Sequence, residues 1–333
     1  MNKLAPSLLA ATLVAVVHAA PAHALSTRTW VSKTGNDANP CTITAPCATF
    51  QGAYFLTATG GEISVLTPGD YGPLNISKAV NLTNDGVGEA GMAVPHIPNQ
   101  LAVGVSITAN AGDVVSLRGL VIDGVHSGDT GLTFLSGGGL HIQDCVVRNF
   151  TSGTGIAAVP NTHSKLFVSD TLVSANNSGL GFDAQSAGIF IAAGGPGGSV
   201  DAVLNRVRVE NNDNGLYVSG SQGFVDGNGP SHVILRNSVI AGNAFNGIWA
   251  ITQAGKPQAF IFVHNSSSVE NGNIGVATSG LGATILMSKT TVTRNGTVGI
   301  SPFSGGQVIS YSNNEIDNNV QGDGLASSHK ILH

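Results

Sequence analysis

Charge is scarce in this chain. Only 10% of its 333 residues are Asp, Glu, Lys or Arg, and the 14 basic side chains are outnumbered by 19 acidic ones. Lys and Arg nowhere gather into a run. A phosphate backbone or an anionic membrane surface would therefore find no basic patch, and neither nucleic acid nor a membrane is an expected partner. Aromatic residues are thin at 5%, with two Trp and four Tyr. Apolar runs of membrane-spanning length are missing: Leu8 to Val17 is too short, and no later segment supplies the roughly 20 residues required.

Cysteine is also sparse, at three residues. Cys41 and Cys47 flank Thr-Ile-Thr-Ala-Pro with no further ligands nearby for zinc, and a short-range disulfide is expected in an exported chain. Export is read from the N-terminus. Lys3, the apolar Leu8 to Val17 and the small-x-small site Ala22-His23-Ala24 have the form of a signal peptide over residues 1–24. No cysteine stands at the cleavage site, so a lipoprotein is not expected. The mature chain should start near Leu25 and be secreted or periplasmic.

What is abundant is glycine, 45 residues, and a recurring asparagine: Asn149, Asn176, Asn211, Asn243, Asn271, Asn295 and Asn318. In four successive cases the element is Asn-x-x-x-Gly-aliphatic, from Asn211, Asn243, Asn271 and Asn295, at steps of 32, 28 and 24 residues. Drifting periods of that size, built from β-type residues, mark a stacked solenoid. Identical positions then lie one strand spacing apart. The asparagines are expected to form a hydrogen-bonded ladder while tolerating a left-handed turn, with the glycine releasing the chain from that turn.

A short aliphatic strand precedes each asparagine. Aligned, these are Leu140 to Asp144, Leu166 to Asp170, Ala202 to Arg206, Val233 to Asn237, Ile261 to Asn265 and Thr284 to Ser288. Their first and third positions are apolar or small, and period two sends both to the interior. The fifth position is a turn-like column beginning with Asp144 and Asp170. Cys145 follows in a column of small residues and reads as a buried filler. Less regular coils are traced before Asn149. In Pro46 to Thr57, the spacing of Phe50, Ala53, Tyr54 and Thr57 predicts a short helix that caps the open end. The layout is an N-terminal cap with disulfide over 25–60, the solenoid over 61–325 and a polar tail over 326–333.

The opening carries more. Trp30-Val31-Ser32, Gly35-Asn36-Asp37, Asn39-Pro40-Cys41, Pro46-Cys47-Ala48-Thr49-Phe50, Gly60-Gly61-Glu62-Ile63 and Pro68-Gly69-Asp70-Tyr71 resemble the start of many secreted bacterial parallel β-helix proteins of the pectin-lyase-like superfamily. The resemblance implies an all-β, right-handed single-stranded parallel β-helix with three parallel sheets, binding its ligands along one sheet face. The superfamily holds polysaccharide lyases, hydrolases, esterases and epimerases, and also adhesins. Its marked branches are not met here: Asn161-Thr162 is followed by His163 where polygalacturonases carry Asp, and the pectin methylesterase, pectate lyase and alginate epimerase motifs are missing.

The expectation is therefore a monomer engaging extended extracellular or cell-wall polysaccharide, without a recognisable catalytic motif. The alternative is a lyase or hydrolase using Asp144, Asp170 and Arg148, with Asp144 and Asp170 holding Ca²⁺; a surface or adhesion module is the third reading. Arg118, His141 and Arg206 are the candidate substrate-binding side chains. Tyr217 and Trp249, two positions after turn glycines, could stack on sugar rings or cover coil edges.

Overall fold

The computed structural model describes residues 25–151, 153–177, 186–195, 197–220 and 227–331. The expected signal peptide lies outside them. Among the described residues, the chain forms one 12-stranded and two 10-stranded sheets, and one α-helix, Phe50–Leu56. Each coil visits the sheets in turn. In one, Gly139–Gln143 lies in the first sheet, Val146–Arg148 in the second and Ile156–Ala158 in the third, before His163–Ser169 returns to the first sheet one rung on. Neighbouring rungs pair in parallel; the short Gly227–Gly229, antiparallel to Ala187–Gly194, stands apart from that stack.

Alternation along each strand builds the core. In Ser231–Arg236 the residues Ser231, Val233 and Leu235 are buried, while His232, Ile234 and Arg236 face out. Leu140, Leu166, Ala202, Val233, Ile261 and Ile285 lie over one another rung upon rung, each at most 2% exposed. The last of the aligned segments is corrected by one residue: Ile285 and Met287 enter the core, not Thr284 and Leu286. Its turn residue is accordingly Lys289 and not Ser288.

Single left-handed residues make the corners. Between the first and second sheets these are Asp144, Asp170, Arg206, Asn237, Asn265 and Lys289, with φ between 48° and 53°. The corner after the second sheet uses Asn149, Ala175, Asn211, Gly242, Glu270, Arg294 and Asn318. One residue later comes the buried column: Phe150, then Asn176, Asn212, Asn243, Asn271, Asn295 and Asn319. The expected ladder exists, but its membership differs. Asn149, Asn211 and Asn318 are corner residues, and Phe150, Asn212 and Asn319 take the inward place. The turn and the ladder, expected of one residue, are divided between two neighbours.

From Asn212 onward the ladder amides are saturated. Asn243 Nδ2 donates to Asn271 Oδ1 at 2.8 Å and to the Val209 carbonyl at 3.2 Å, while its Oδ1 accepts from the Asn212 backbone N–H at 3.0 Å and from Asn212 Nδ2 at 3.1 Å. The paired glycines have another role than releasing a turn. Gly247 does not have a positive φ. A Cβ there would stand 2.6 Å from Asn271 Nδ2 of the next coil and 2.2 Å from Ser268 Oγ. The glycine of one coil makes room for the asparagine of the next, which is why the two recur together.

At the N-terminal end, Phe50, Ala53 and Tyr54 are buried, and the helix packs on Ser26–Val31, Thr57–Val65 and Leu74–Ile76. Thr49 caps it, its hydroxyl accepting from the Gly52 N–H at 2.9 Å. Thr57 is the C-cap and opens the next strand, so the helix is shorter than Pro46 to Thr57. The Cys41–Cys47 disulfide is formed beside it, both cysteines fully buried. Cys145 is 2% exposed, and burial pushes its thiol up to about 11, as suits a core filler.

Candidate ligand-binding face

The first sheet turns one set of its side chains outward, and parallel register aligns them into columns. The central column runs through His141, Phe167, Val203, Ile234, Phe262 and Leu286. Six apolar or ring side chains thus sit on successive rungs at about 4.8 Å spacing. Ile234 is 41% exposed, and Phe167, Val203, Phe262 and Leu286 are half-buried. His141 stacks on Phe167, ring centroids 4.7 Å apart. Partial burial pushes the titration of His141 down, which favours the neutral ring at the end of an apolar stripe.

Largely polar columns flank the stripe. On one side lie Lys165, Asp201, His232, Phe260 and Thr284; on the other lie Arg118, Gln143, Ser169, Asn205, Arg236 and His264. The strand order explains this: positions two apart share a face, and coils such as Ser199–Asn205 and Ser231–Arg236 put one apolar outward residue between two polar ones, whereas the Ala259–His264 coil sets Phe260 beside Phe262. Arg118 and His141 therefore share this face. Arg118 is paired with Asp85.

Asp144, Asp170 and Arg206 stand beside it, at the corner where the first sheet ends. Arg206 grips both oxygens of Asp170, Nε to Oδ1 at 2.5 Å and Nη2 to Oδ2 at 2.6 Å. That hydrogen-bonded pairing holds the Asp170 carboxyl below the ordinary carboxylate value. Arg148 lies around the corner on the outer face of the second sheet, where its Nε donates to Asp123 Oδ2 at 2.7 Å. The structure brings Asp144, Asp170 and Arg206 together and leaves Arg148 on a different face. Among the described residues no three His, Cys, Asp or Glu side chains converge as a group able to hold a metal ion. Asp144 and Asp170 alone fit calcium poorly, because the cation would have to displace Arg206.

The residue pattern singled out Tyr217 and Trp249 but not their stacking with Phe190, and it missed a second group. On the third sheet, Phe190, Tyr217 and Trp249 stack, with centroids 5.3 and 4.8 Å apart. Tyr217 is only 2% exposed and belongs to a separate hydrophobic cluster with Ala187, Phe190 and Ala192, so it is no exposed sugar platform. On the first sheet, His163, Ser199, Asp201 and His232 meet from three coils. His232 Nδ1 lies 3.2 Å from Asp201 Oδ1, His163 Nε2 lies 4.0 Å from Asp201 Oδ2, and Ser199 Oγ is hydrogen-bonded to His163 Nδ1. Their signal was available in principle, since all four occupy outward strand positions of aligned rungs.

No family model matches the chain, and no curated protein matches it. Among solved structures it is similar to the pectate lyase Pel9A, with a TM-score of 0.63 and 17% identity over 90% of this chain and 79% of that one. The chain has the pectin-lyase-like right-handed parallel β-helix fold. With this fold the resemblance of the opening residues and the three sheets agree. A rhamnogalacturonan lyase gives a TM-score of 0.46 at 15% identity, covering 88% of this chain and 87% of that one. The A-module of the Azotobacter vinelandii mannuronan C-5 epimerase AlgE4 gives 0.45 at 15% identity, covering 82% and 91%. At such identities the likeness is one of fold, and the β-helix by itself selects no chemistry.

Proposed function

We propose that this is an exported β-helix protein whose first sheet binds an extended polysaccharide along the solenoid axis. The observation that carries this reading is the central column from His141 to Leu286 between two largely polar columns. Sugar rings offer apolar faces rimmed by hydroxyls. A stripe of rings and aliphatic groups with Arg, Asn, Gln, Ser and His on its margins matches both parts of such a ligand. Arg118 and His141 lie in the path of the polymer, and Arg206 lies at its edge. The solved pectate lyase with the same fold, named for its action on pectate, supports a polysaccharide as the ligand class. A disulfide in the cap suits an oxidising compartment and supports export.

Binding to a panel of neutral and acidic polysaccharides, measured by affinity electrophoresis and calorimetry, tests this. At least one polymer is expected to bind. Phe167→Ala and Phe262→Ala should each weaken it about fivefold, since one lost ring stack is worth about 1 kcal/mol. A protein that binds no polysaccharide, or binds equally well without both rings, rules the reading out. An eliminating lyase built on Asp144, Asp170 and Arg148 is less well supported, because Arg148 projects from another sheet and is committed to Asp123. Unsaturated uronate ends accumulating in ultraviolet absorbance, and lost in Asp144→Ala, would reverse that order.

A further inference from the structure

Three consecutive rungs of the first sheet, His163–Ser169, Ser199–Asn205 and Ser231–Arg236, carry reactive side chains at their leading ends. His163 faces Ser199 directly across the ladder, and Asp201 faces Lys165 on one side and His232 on the other. The hydroxyl of Ser199 is hydrogen-bonded to Nδ1 of His163. The other ring nitrogen, Nε2, points to Asp201 Oδ2 at 4.0 Å, and Asp201 Oδ1 is tethered by His232 Nδ1 at 3.2 Å. Hydroxyl, imidazole and carboxylate stand in that order. A base in reach of a hydroxyl, with a carboxylate beside its far nitrogen, is a pattern that turns a weak alcohol into a nucleophile.

The surroundings leave this group accessible. The side chains of His163 and Asp201 are 69% and 48% exposed. Gly194, Gly195, Gly197 and Gly198 lead into Ser199, and Gly195 and Gly197 hold φ of 73° and 87°. A Cβ at Gly197 would meet nothing within 4 Å, so the space beside Gly197 is open. Ser199 itself is anchored, its N–H donating to the Thr162 carbonyl at 3.1 Å. Outward positions alternate along the strand, so His163 and Lys165 lead on the same face to Phe167 in the apolar column.

We propose that Ser199, His163 and Asp201 form a serine-nucleophile site that hydrolyses esters. Its physiological substrate would be an acyl group on a hydroxyl of the polymer seated on the neighbouring stripe, and that part rests on the polysaccharide reading above. Ser199 Oγ bonds to the carbonyl carbon as its proton passes to His163 Nδ1. The ester C–O bond then breaks, and the same proton goes to the departing alcohol. Water, deprotonated by the imidazole, attacks the acyl-serine, releasing the carboxylic acid and restoring the hydroxyl. Asp201, 4.0 Å from Nε2, balances the charge the ring transiently gains, and His232 holds Asp201.

The experiment exposes the intact protein to a fluorophosphonate probe, which is selective for activated serines, and maps the label by mass spectrometry. Hydrolysis of p-nitrophenyl acetate is followed in parallel. Label is expected on Ser199, absent in Ser199→Ala and slowed by at least about 100-fold in His163→Gln, with esterase turnover falling in step. Asp201→Asn should lower kcat with little change in KM, as befits a positioning residue. All three side chains are at the surface, so melting temperatures should stay close to wild type; His163→Gln carries the comparison if Ser199→Ala misfolds. No label on Ser199, or equal labelling in His163→Gln, overturns the proposal. Acetate release from acetylated polysaccharides reports the polymer separately: a labelled serine with no polymer bound would sink the polysaccharide reading and leave the serine chemistry standing.

Discussion

Asn211 turns the backbone with φ 57° and leaves its side chain at the surface, while Asn212 buries an amide that touches both adjacent coils. The Asn212 side chain donates to Asn243 Oδ1 at 3.1 Å and to the Val173 carbonyl at 3.2 Å, and accepts from Asn176 N–H at 3.1 Å and Asn176 Nδ2 at 2.9 Å. Removing it strands buried donors and acceptors on two coils. Asn212→Ala should therefore lose about 3 kcal/mol of stability. At Asn211→Ala only the left-handed preference is lost, about 1 kcal/mol. Urea titration of the two variants checks this, and equal losses would mean that the ladder contributes little. The distinction was not legible in the chain, because asparagine suits both the left-handed corner and the inward ladder. The glycines could have broken the tie: the one that a ladder asparagine contacts belongs to the preceding coil, as Gly247 does for Asn271.

At the scale of the element, corners and short strands are tied together by carboxylates. Asp123, ending the second-sheet strand Leu120–Asp123, is partly desolvated, which works against its charge. Hydrogen bonds from Asn149, Arg148 and the Val125 N–H outweigh this and draw its titration below the ordinary 3.8. A carboxyl depressed in the folded state contributes stability that is present above its unfolded value and is lost as pH falls through the folded one. Acid should thus weaken the protein below about pH 4, and Asp123→Asn should flatten that limb in urea midpoints measured against pH. An unchanged acid slope in the variant would assign the effect to other carboxylates. Strand positions were legible from their period of two, and five of the six aligned segments stand in register as read. The sixth slipped because Ser288 and Lys289 both make acceptable corner residues, and nothing local prefers one.

Over the whole molecule, each coil packs only on its neighbours, so stability accumulates rung by rung and the ends need covering. The Phe50–Leu56 helix supplies that cover at one end, with Phe50 fully buried against Tyr71 at a ring distance of 5.1 Å. Phe50→Ala should remove about 3–5 kcal/mol, lower the melting temperature, and increase amide exchange first in Ser26–Val31 and Thr57–Val65. Uniform exchange along the solenoid would show instead that the coils unfold as one unit. The mean structure of this end was legible, since Phe50, Ala53 and Tyr54 recur at helical spacing and the two cysteines stand close together in the chain.

Apolar alternation and recurring Asn and Gly are local properties that mark a stacked β-solenoid. The helical spacing of Phe50, Ala53 and Tyr54 and the nearby Cys41 and Cys47, equally local, mark its capping helix and its disulfide. Which side chains share a groove is a different matter. His163, Ser199 and Asp201 are brought together across a separation of 36 residues between His163 and Ser199, and His232 joins Asp201 from 31 residues away. Coil lengths vary, with ladder steps of 36, 31, 28, 24 and 24 residues, so no fixed spacing reports which residues face one another. Only the hydrogen-bonded register of neighbouring rungs sets those contacts, because loops of different length close onto the same parallel ladder. That register placed Arg148 away from Asp144 and Asp170, and Ser199 against His163.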